Sequence, residues 1–216
     1  MTLFQFPDPT TADEDGLLAL GGNLELESLL LAYSQGIFPW PIQGLPLAWF
    51  CPPERAVLDW NQLHISKSLK RFRNKKLFHF SIDQKFDEVI QFCAKIPRPR
   101  QKGTWITKSI YNAYRNLHQN GHAHSIEVWE GDQLIGGLYG VESHGSFSAE
   151  SMFHLKPNAS KLAILFLMDY LHSKGQNILD IQVMTPHMEN LGAKHIPCAV
   201  FLKHLAETKE RKIKLF

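Results

Sequence analysis

An acidic and an amide side chain interrupt one apolar stretch of the chain, at Asp180 and Gln182. The stretch over residues 177–184 is rich in β-branched and apolar residues, which predicts a buried strand. Residues two apart in a strand project from the same face, about 6.5–7 Å apart along the chain. The two polar groups would therefore be presented together and could hold and polarise a reacting group. The alternative is a half-exposed strand whose solvated face carries both residues.

The elements before this strand predict a mixed sheet. Periodicity and capping residues predict a strand over 77–82, helices over 83–94 and 107–120, and strands over 125–129, 134–141 and 146–153. A long apolar helix should follow, capped by Asn158 or Ser160 and ending at His172. Asp83 and Thr107 are the predicted caps of the first two helices. Gly136 and Gly137 predict a bulge or the close approach of another backbone or ligand. A helical crossover should bring the strand of Asp180 parallel to its neighbour.

This order of elements resembles the acetyltransferase-like (GNAT) fold, in which two central strands splay apart. The gap would lie between residues 146–153 and 178–184, and it would place Glu150 and Phe147 opposite Asp180 and Gln182. The expected fold class is α+β. A small N-terminal domain over residues 1–63 should contribute the Trp40 loop, and a GNAT-like domain with a splayed mixed sheet should follow over residues 64–216.

Composition and charge exclude several classes of protein. The 216 residues are 44% hydrophobic and 20% charged, with a net charge of +2, which is ordinary for a globular chain. Three separated cysteines without a CxxC pair predict reduced thiols in a cytosolic protein. The N-terminus is acidic where a signal peptide would be basic, and no stretch approaches the roughly 20 apolar residues of a membrane span. We expect a cytoplasmic protein.

Two further segments suggest binding surfaces. Trp40 lies between two prolines on a stiff loop, where an aromatic ring is as often binding surface as core. A basic stretch follows the predicted domain boundary, and it predicts either a solvated helix face or a phosphate-binding surface. Its cationic residues are Lys67, Lys70, Arg71, Arg73, Lys75 and Lys76.

Two negative features concern cofactors. An acetyl-CoA enzyme of this fold needs a glycine-rich turn before the helix at 160–172, but residues 155–161 read LKPNASK, and Pro157 removes a donor. The acyl donor is therefore expected not to be acetyl-CoA, and we expect no cofactor. His118, His122 and His124 have the spacing of metal ligands but span a helix end and a strand, so we expect no metal.

Eight motifs, in order along nearly the whole chain, are similar to those of the bacterial leucyl/phenylalanyl-tRNA–protein transferases. They are GLLALGG at 16–22, GIFPW at 36–40, GTWIT at 103–107, GHAHSIEVW at 121–129, GGLYG at 136–140, ESMF at 150–153, NASK at 158–161 and DIQ at 180–182. The chain departs from the family pattern at Phe50, Cys51, Ala149 and Ile181. None of these departures removes a polar group that the chemistry needs.

The resemblance implies an enzyme that transfers Leu or Phe, and less readily Met, from aminoacyl-tRNA to the N-terminal Lys or Arg of a protein, which marks the product for degradation. Asp180 and Gln182 would be catalytic, with Asp180 orienting the Gln182 amide. Glu150 would hold the cationic acceptor. The implied side-chain pocket is Trp40, Leu138, Phe147, Leu171 and Leu179. The basic stretch would bind tRNA phosphates.

Partners and alternatives follow from the same resemblance. The partners would be aminoacyl-tRNA and acceptor proteins, without a membrane, and the enzyme would be a monomer. Whether Asp180 or a tRNA ribose hydroxyl takes the proton of the attacking amine is open. The competing hypotheses are a CoA-dependent N-acetyltransferase and an RNA-binding module without catalysis.

Overall fold

The computed structural model describes residues 5–75, 77–96 and 104–216. Lys76 and Gly103 therefore lie outside the described residues. The strands are β1 (Leu17–Leu20), β2 (Phe38–Pro39), β3 (Ala48–Phe50), β4 (Glu54–Asp59), β5 (Phe78–Ile82), β6 (Ala123–Glu130), β7 (Gln133–Ser143), β8 (Ser146–His154), β9 (Ile178–Gln182) and β10 (Lys194–Pro197). The helices are α1 (Leu26–Ser34), α2 (Lys67–Arg73), α3 (Phe86–Lys95), α4 (Lys108–Gln119), α5 (Ala159–Ser173), α6 (Pro186–Glu189) and α7 (Cys198–Glu210).

The strands form a small sheet of order β1-β3-β2 and a large sheet of order β10-β4-β9-β8-β7-β6-β5. In the large sheet β8 and β9 pair in parallel, and the other neighbouring strands pair antiparallel. The α+β class, the mixed sheet and the parallel pairing after a helical crossover are thus confirmed. The order of elements predicted from residue 77 to residue 182 is also confirmed.

The large sheet has an apolar cluster on each face, because successive residues of a strand point to opposite sides. In β7, Leu138 packs in one cluster and Tyr139 packs in the other. The Leu138 cluster is built largely from α5, which is apolar on most of its surface, as expected for a helix that covers a sheet. The Tyr139 cluster takes residues from α1, α3 and α4.

Two local predictions have opposite outcomes. Thr107 caps α4, since its side chain accepts a hydrogen bond from the Ile110 amide at 3.3 Å. The Asp83 cap is wrong: α3 begins at Phe86, and the Asp83 carboxylate instead accepts from the Ser125 amide at 2.8 Å. The cause is a tertiary contact: the neighbouring strand supplies a backbone amide that competes with the helix terminus for the Asp83 carboxylate.

The paired glycines of β7 meet both expectations. The register between β6 and β7 shifts beside Gly136, and a β-carbon on Gly136 would lie 2.6 Å from the β-carbon of Ala159 at the start of α5. A β-carbon on Gly137 would lie 2.6 Å from the Ile126 carbonyl oxygen. The missing side chains therefore let the helix and the adjacent strand approach closely.

The large sheet extends into the segment before the predicted domain boundary. β4 lies between β9 and β10, although its residues precede position 63. By sheet membership a boundary would fall before Glu54, and the division into two domains remains a prediction. Among the residues described, none of the helices has the length and apolar character needed to cross a bilayer.

Candidate active site

The parallel strands β8 and β9 pair over a short distance and then bring two polar side chains together. Their register joins Phe147 to Leu179 and Ser148 to Asp180. Beyond these pairs, the side-chain amide of Gln182 donates to Glu150 Oε1 at 2.7 Å. The structure thus brings Glu150 and Gln182 into contact, as the sequence predicted for the gap between these strands. The prediction for Phe147 was wrong, because Phe147 lies opposite Leu179 and Ser148 takes the position opposite Asp180.

Irregular pairing of β8 with β7, and of β9 with β4, sets the direction of the polar side chains. In β8 the register with β7 passes from Ala149 to Ser151, so Glu150 is an extra residue. In β9 the register with β4 passes from Asp180 to Gln182, so Ile181 is an extra residue. Such bulges twist a strand and redirect its side chains, and they are common beside functional sites.

Asp180 is buried and accepts four hydrogen bonds. Arg55 donates to both carboxylate oxygens, from Nε at 2.8 Å and from Nη2 at 2.7 Å. The Ser148 hydroxyl donates at 2.7 Å and the Gln182 backbone amide at 2.9 Å. Asp180 and Arg55 are each 1% exposed. Since a carboxylate offers about four acceptor positions, this one is saturated within the protein.

Arg55 is held from several directions at once. Its Nη1 donates to the Gly36 carbonyl at 2.9 Å, and the guanidinium carbon lies 4.8 Å from the Phe38 ring centre and 4.6 Å from that of Phe201. Planar contact with aromatic faces suits a guanidinium better than an ammonium. The ion pair with Asp180 therefore joins β4 to β9 in a fixed geometry.

Asp180 acts on Gln182 through the backbone. Its carboxylate accepts the amide two residues ahead, which is an Asx turn, and Gln182 has a φ of +62° in the left-handed region. A non-glycine residue pays roughly 1–2 kcal/mol for this conformation, so the turn must be held by other contacts. The prediction was that Asp180 orients Gln182, and the structure shows the backbone amide, rather than the side-chain amide, as the group it contacts.

Glu150 lies at the centre of a polar cluster. Tyr33 donates to its Oε1 at 2.7 Å and Tyr114 donates to its Oε2 at 3.1 Å, while Tyr33 Oη and Tyr114 Oη lie 2.5 Å apart. Burial raises the pKa of Glu150 to about 7, against the lowering effect of the tyrosine and Gln182 hydrogen bonds. Asp180 adds a smaller raising effect on this pKa.

The residues predicted to form the side-chain pocket fall into two groups. Leu138, Phe147, Leu171 and Leu179 lie in one apolar cluster, and each is 0% exposed. Trp40 packs on the cluster of the opposite face. It stacks on Trp105, with ring centres 5.7 Å apart and planes inclined by 19°. The structure therefore brings four of the five residues together and places Trp40 apart from them.

Trp40 nevertheless lies close to the polar cluster through one intermediate ring. Trp105 contacts Tyr114 edge to face, with ring centres 6.4 Å apart. Tyr114 in turn contacts Glu150. The aromatic row thus runs from the proline-flanked loop to the carboxyl group. It lies on the face of the sheet opposite the buried leucines.

The basic residues occupy α2 and the turn after it. Lys67, Lys70, Arg71 and Lys75 are exposed, whereas Leu69 packs inward, as the helical spacing predicted. Arg73 forms an ion pair with Asp169 of α5. Part of the positive charge is therefore neutralised by an acid that is distant in sequence. Binding of tRNA by this surface remains a prediction.

Four residues of this site were not predicted from the sequence: Arg55, Tyr33, Tyr114 and Ser148. The tyrosines lie among the buried apolar residues of α1 and α4, where packing explains them equally well. Arg55 could have been singled out from the sequence, because this cation directly precedes the apolar run of residues 56–58. Among the described residues, no cluster of three or more His, Cys, Asp or Glu side chains is arranged to hold a metal ion.

Comparison with known proteins identifies the family. A family model described as leucyl/phenylalanyl-tRNA protein transferase matches residues 57–206, and one for the N-terminal domain of that transferase matches residues 22–53. A protein of that name from Shewanella sp. (strain W3-18-1) is 50% identical over 96% of this chain and 89% of its own length. One from Anaeromyxobacter sp. (strain K) is 48% identical over 95% of this chain and 88% of its own.

Similarity to solved structures is weaker. "The structure of L-PGS from Bacillus licheniformis" is 14% identical, covers 75% of this chain and 52% of that one, and has a TM-score of 0.43, too low to support an argument. The two family models together match most of the sequence. The chain therefore belongs to the leucyl/phenylalanyl-tRNA protein transferase family.

Proposed function

We propose that this protein transfers Leu or Phe, and less readily Met, from aminoacyl-tRNA to the N-terminal Lys or Arg of acceptor proteins. It acts in the cytoplasm as a monomer without a cofactor, and the added residue marks the acceptor for degradation. Its catalytic part has the GNAT-like fold. The observation that carries the proposal is the contact between Glu150 and Gln182 where β8 and β9 stop pairing.

The reaction needs positioning more than activation. An aminoacyl ester already carries a good leaving group, so the enzyme must hold the ester and an amine in register. Orientation of two reactants can contribute roughly 7–11 kcal/mol. The Asp180–Arg55 pair supplies this rigidity, because it fixes the backbone turn that presents Gln182. Asp180 is thus proposed as the group that sets the geometry, and Gln182 as the group that hydrogen-bonds the incoming amine.

The attacking amine must also lose a proton. An α-amino group has a pKa of about 7.7–8.0, so most of it is protonated at neutral pH. Asp180 is 1% exposed and its carboxylate already accepts four hydrogen bonds within the protein, so no acceptor position faces the amine. Glu150 has a pKa of about 7, close to that of the amine. Glu150 therefore holds the acceptor N-terminus and takes its proton, with the tRNA ribose hydroxyl as the alternative acceptor.

Selection of the amino acid rests on apolar residues that pack on the other face of the sheet from Tyr33 and Tyr114. Phe147 and Leu179 pair directly across β8 and β9, and they pack with Leu138 and Leu171. Admission of a leucine side chain requires these packed residues to separate. An apolar pocket distinguishes ligands by about 1–3 kcal/mol per methylene, so rejection of Ile and Val depends on shape at the rigid, branched β-carbon. Trp40 packs on the opposite face of the sheet, so it is not part of this pocket.

Affinity for tRNA comes from the exposed cations of α2. Lys70 and Arg71 are exposed on this helix and are free to contact phosphates. Contacts of this kind are independent of sequence and weaken steeply as salt rises. Arg73 is already paired with Asp169, so its contribution requires exchange of that partner.

The test is transfer from leucyl-tRNA to two matched peptides that differ in their first residue. A peptide beginning with Lys or Arg should gain one Leu, and the same peptide beginning with Ala should not. Asp180→Ala should lower the rate with little change in tRNA affinity, and Lys70→Ala/Arg71→Ala should do the reverse. Absence of transfer at every salt concentration would reject the function. Equal losses of rate and affinity in both variants would reject the assigned roles.

A further inference from the structure

Two cysteines that are far apart in the sequence meet in the structure. Cys51 and Cys198 are separated by 147 positions, and their sulfur atoms lie 3.3 Å apart. A disulfide has a sulfur–sulfur distance of about 2.05 Å, so the thiols are close to bonding distance. The sequence predicted separated, reduced thiols, and the third cysteine, Cys93, is buried in α3.

The backbone around the two thiols is already held together. The Cys198 amide donates to the Pro53 carbonyl at 2.8 Å, and the Cys51 amide donates to the Gly16 carbonyl at 2.8 Å. β10, which ends at Pro197, pairs with β4. A bond between the sulfurs therefore requires movement of side chains rather than of elements.

The two thiols differ in exposure and in chemical character. Cys51 is 1% exposed, whereas Cys198 is partly exposed. Both line a surface cavity of about 300 Å³ together with Pro9, Pro53 and Pro197. A small oxidant in this cavity would reach Cys198 first.

The local charges favour a thiolate at Cys198. This residue begins the thirteen-residue helix α7, where the helix dipole favours negative charge. The hydrogen bond from Cys51 and the charge of Arg55 lower the pKa of Cys198 to about 7, and burial and Asp8 oppose them. The hydrogen bond with Cys198, followed by burial, raises the pKa of Cys51. The nearby charged groups are thus Arg55, Asp180 and Asp8.

We propose that Cys51 and Cys198 are a hydroperoxide-reactive thiol pair that closes reversibly to an intramolecular disulfide. The Cys198 thiolate attacks one peroxide oxygen, a sulfur–oxygen bond forms, the oxygen–oxygen bond breaks, and hydroxide leaves. The Cys51 sulfur, as it loses its proton, then attacks the sulfenic sulfur and displaces water. With hydrogen peroxide, two thiols are oxidised by two electrons, the peroxide is reduced, and two water molecules form.

The bond would connect the two segments that surround Arg55. Cys51 lies shortly before β4, which carries Arg55, and α7 carries Phe201, whose ring lies against the guanidinium. A cross-link between residues 147 positions apart removes many conformations from the unfolded chain. The oxidised protein should therefore melt at a higher temperature than the reduced one, by at least about 5 °C.

The test treats the full chain with hydrogen peroxide, blocks free thiols by alkylation and maps the peptides without reduction. The expected product is a single pair of peptides joined through Cys51 and Cys198, while Cys93 is recovered in its alkylated form. Dithiothreitol should reduce the disulfide and separate the two peptides. Free thiols at Cys51 and Cys198 after treatment, linkage through Cys93, or linkage between two chains would each overturn the proposal.

Variants separate the roles of the two sulfurs. Cys51→Ser should stop at the sulfenic acid of Cys198, which dimedone traps, and Cys198→Ser should give neither the dimedone adduct nor the disulfide. Cys93→Ser is the matched control and should form the bond as the parent does. A dimedone adduct on Cys51 in Cys198→Ser would contradict the order of attack. If a variant fails to fold, the peptide map of the parent chain decides the proposal alone.

Discussion

Replacement of Glu150 by Gln should remove a pH dependence of stability. The pKa of Glu150 is raised from 4.5 to about 7, first because the group is buried. A carboxyl group whose pKa is higher in the folded state stabilises the fold fully below pH 4.5, and this stabilisation is lost as the pH rises through 7. A shift of about 2.5 pKa units corresponds to roughly 3 kcal/mol. An uncharged glutamine keeps the size of the side chain without this titration.

The assay is urea unfolding of the parent and of Glu150→Gln at pH 5 and pH 8 and at one ionic strength. Between these values the parent should lose about 2–4 kcal/mol more stability than the variant. Glu25→Gln is the matched control, because Glu25 is exposed and its side chain makes no capping hydrogen bond. Parallel pH dependences for the parent and Glu150→Gln, within about 0.5 kcal/mol, would refute the argument.

The same variant tests the proposed proton acceptor. In the parent, the transfer rate at low peptide concentration should rise with pH through an apparent pKa near 7, the value for Glu150. In Glu150→Gln this step should disappear, and the amine of the peptide should supply the remaining dependence at about 7.7–8.0. An unchanged rate and an unchanged profile would show that another group takes the proton.

Three further changes test other parts of the structure. Arg55→Met leaves the buried Asp180 carboxylate unpaired and should cost about 3–5 kcal/mol in urea unfolding, and addition of Asp180→Asn should recover part of this; a loss under about 1 kcal/mol would contradict the buried ion pair. Lys70→Ala/Arg71→Ala should reduce the slope of log affinity for tRNA against log salt by about 2, and an unchanged slope would remove this helix from the tRNA surface. Tyr33→Phe removes the hydroxyl that donates to Glu150 and should cost about 1–3 kcal/mol in unfolding; no measurable loss would mean that this hydrogen bond does not stabilise the fold.

The sequence predicted elements well where the signal is local. Helical spacing and turn residues describe α3 to β9 because each element is identified by its own residues. β4 and β10 were not predicted, because each is short and becomes a strand through its distant partner. The Asp83 prediction failed for the same reason, since its donor comes from β6.

The candidate site was predicted in part for comparable reasons. The Asp180 and Gln182 spacing suggested two groups on one face, and the contact of Gln182 with Glu150 followed from the order of the strands. The ion pair with Arg55 could not be predicted, since no local pattern connects positions 125 apart. The left-handed turn at Gln182 also depends on a carboxylate that is itself held by Arg55.

The position of β4 has a consequence for synthesis on the ribosome. This strand is translated long before its sheet neighbours β9 and β10. Arg55 and Asp180 are 125 positions apart. At a synthesis rate of roughly 5–20 residues per second, Asp180 is therefore added about 6–25 s after Arg55. During that interval a cation beside an apolar run discourages pairing with strands of other chains. The ion pair of Arg55 with Asp180, and the backbone turn at Gln182 that Asp180 holds, can therefore form only after the intervening positions have been translated.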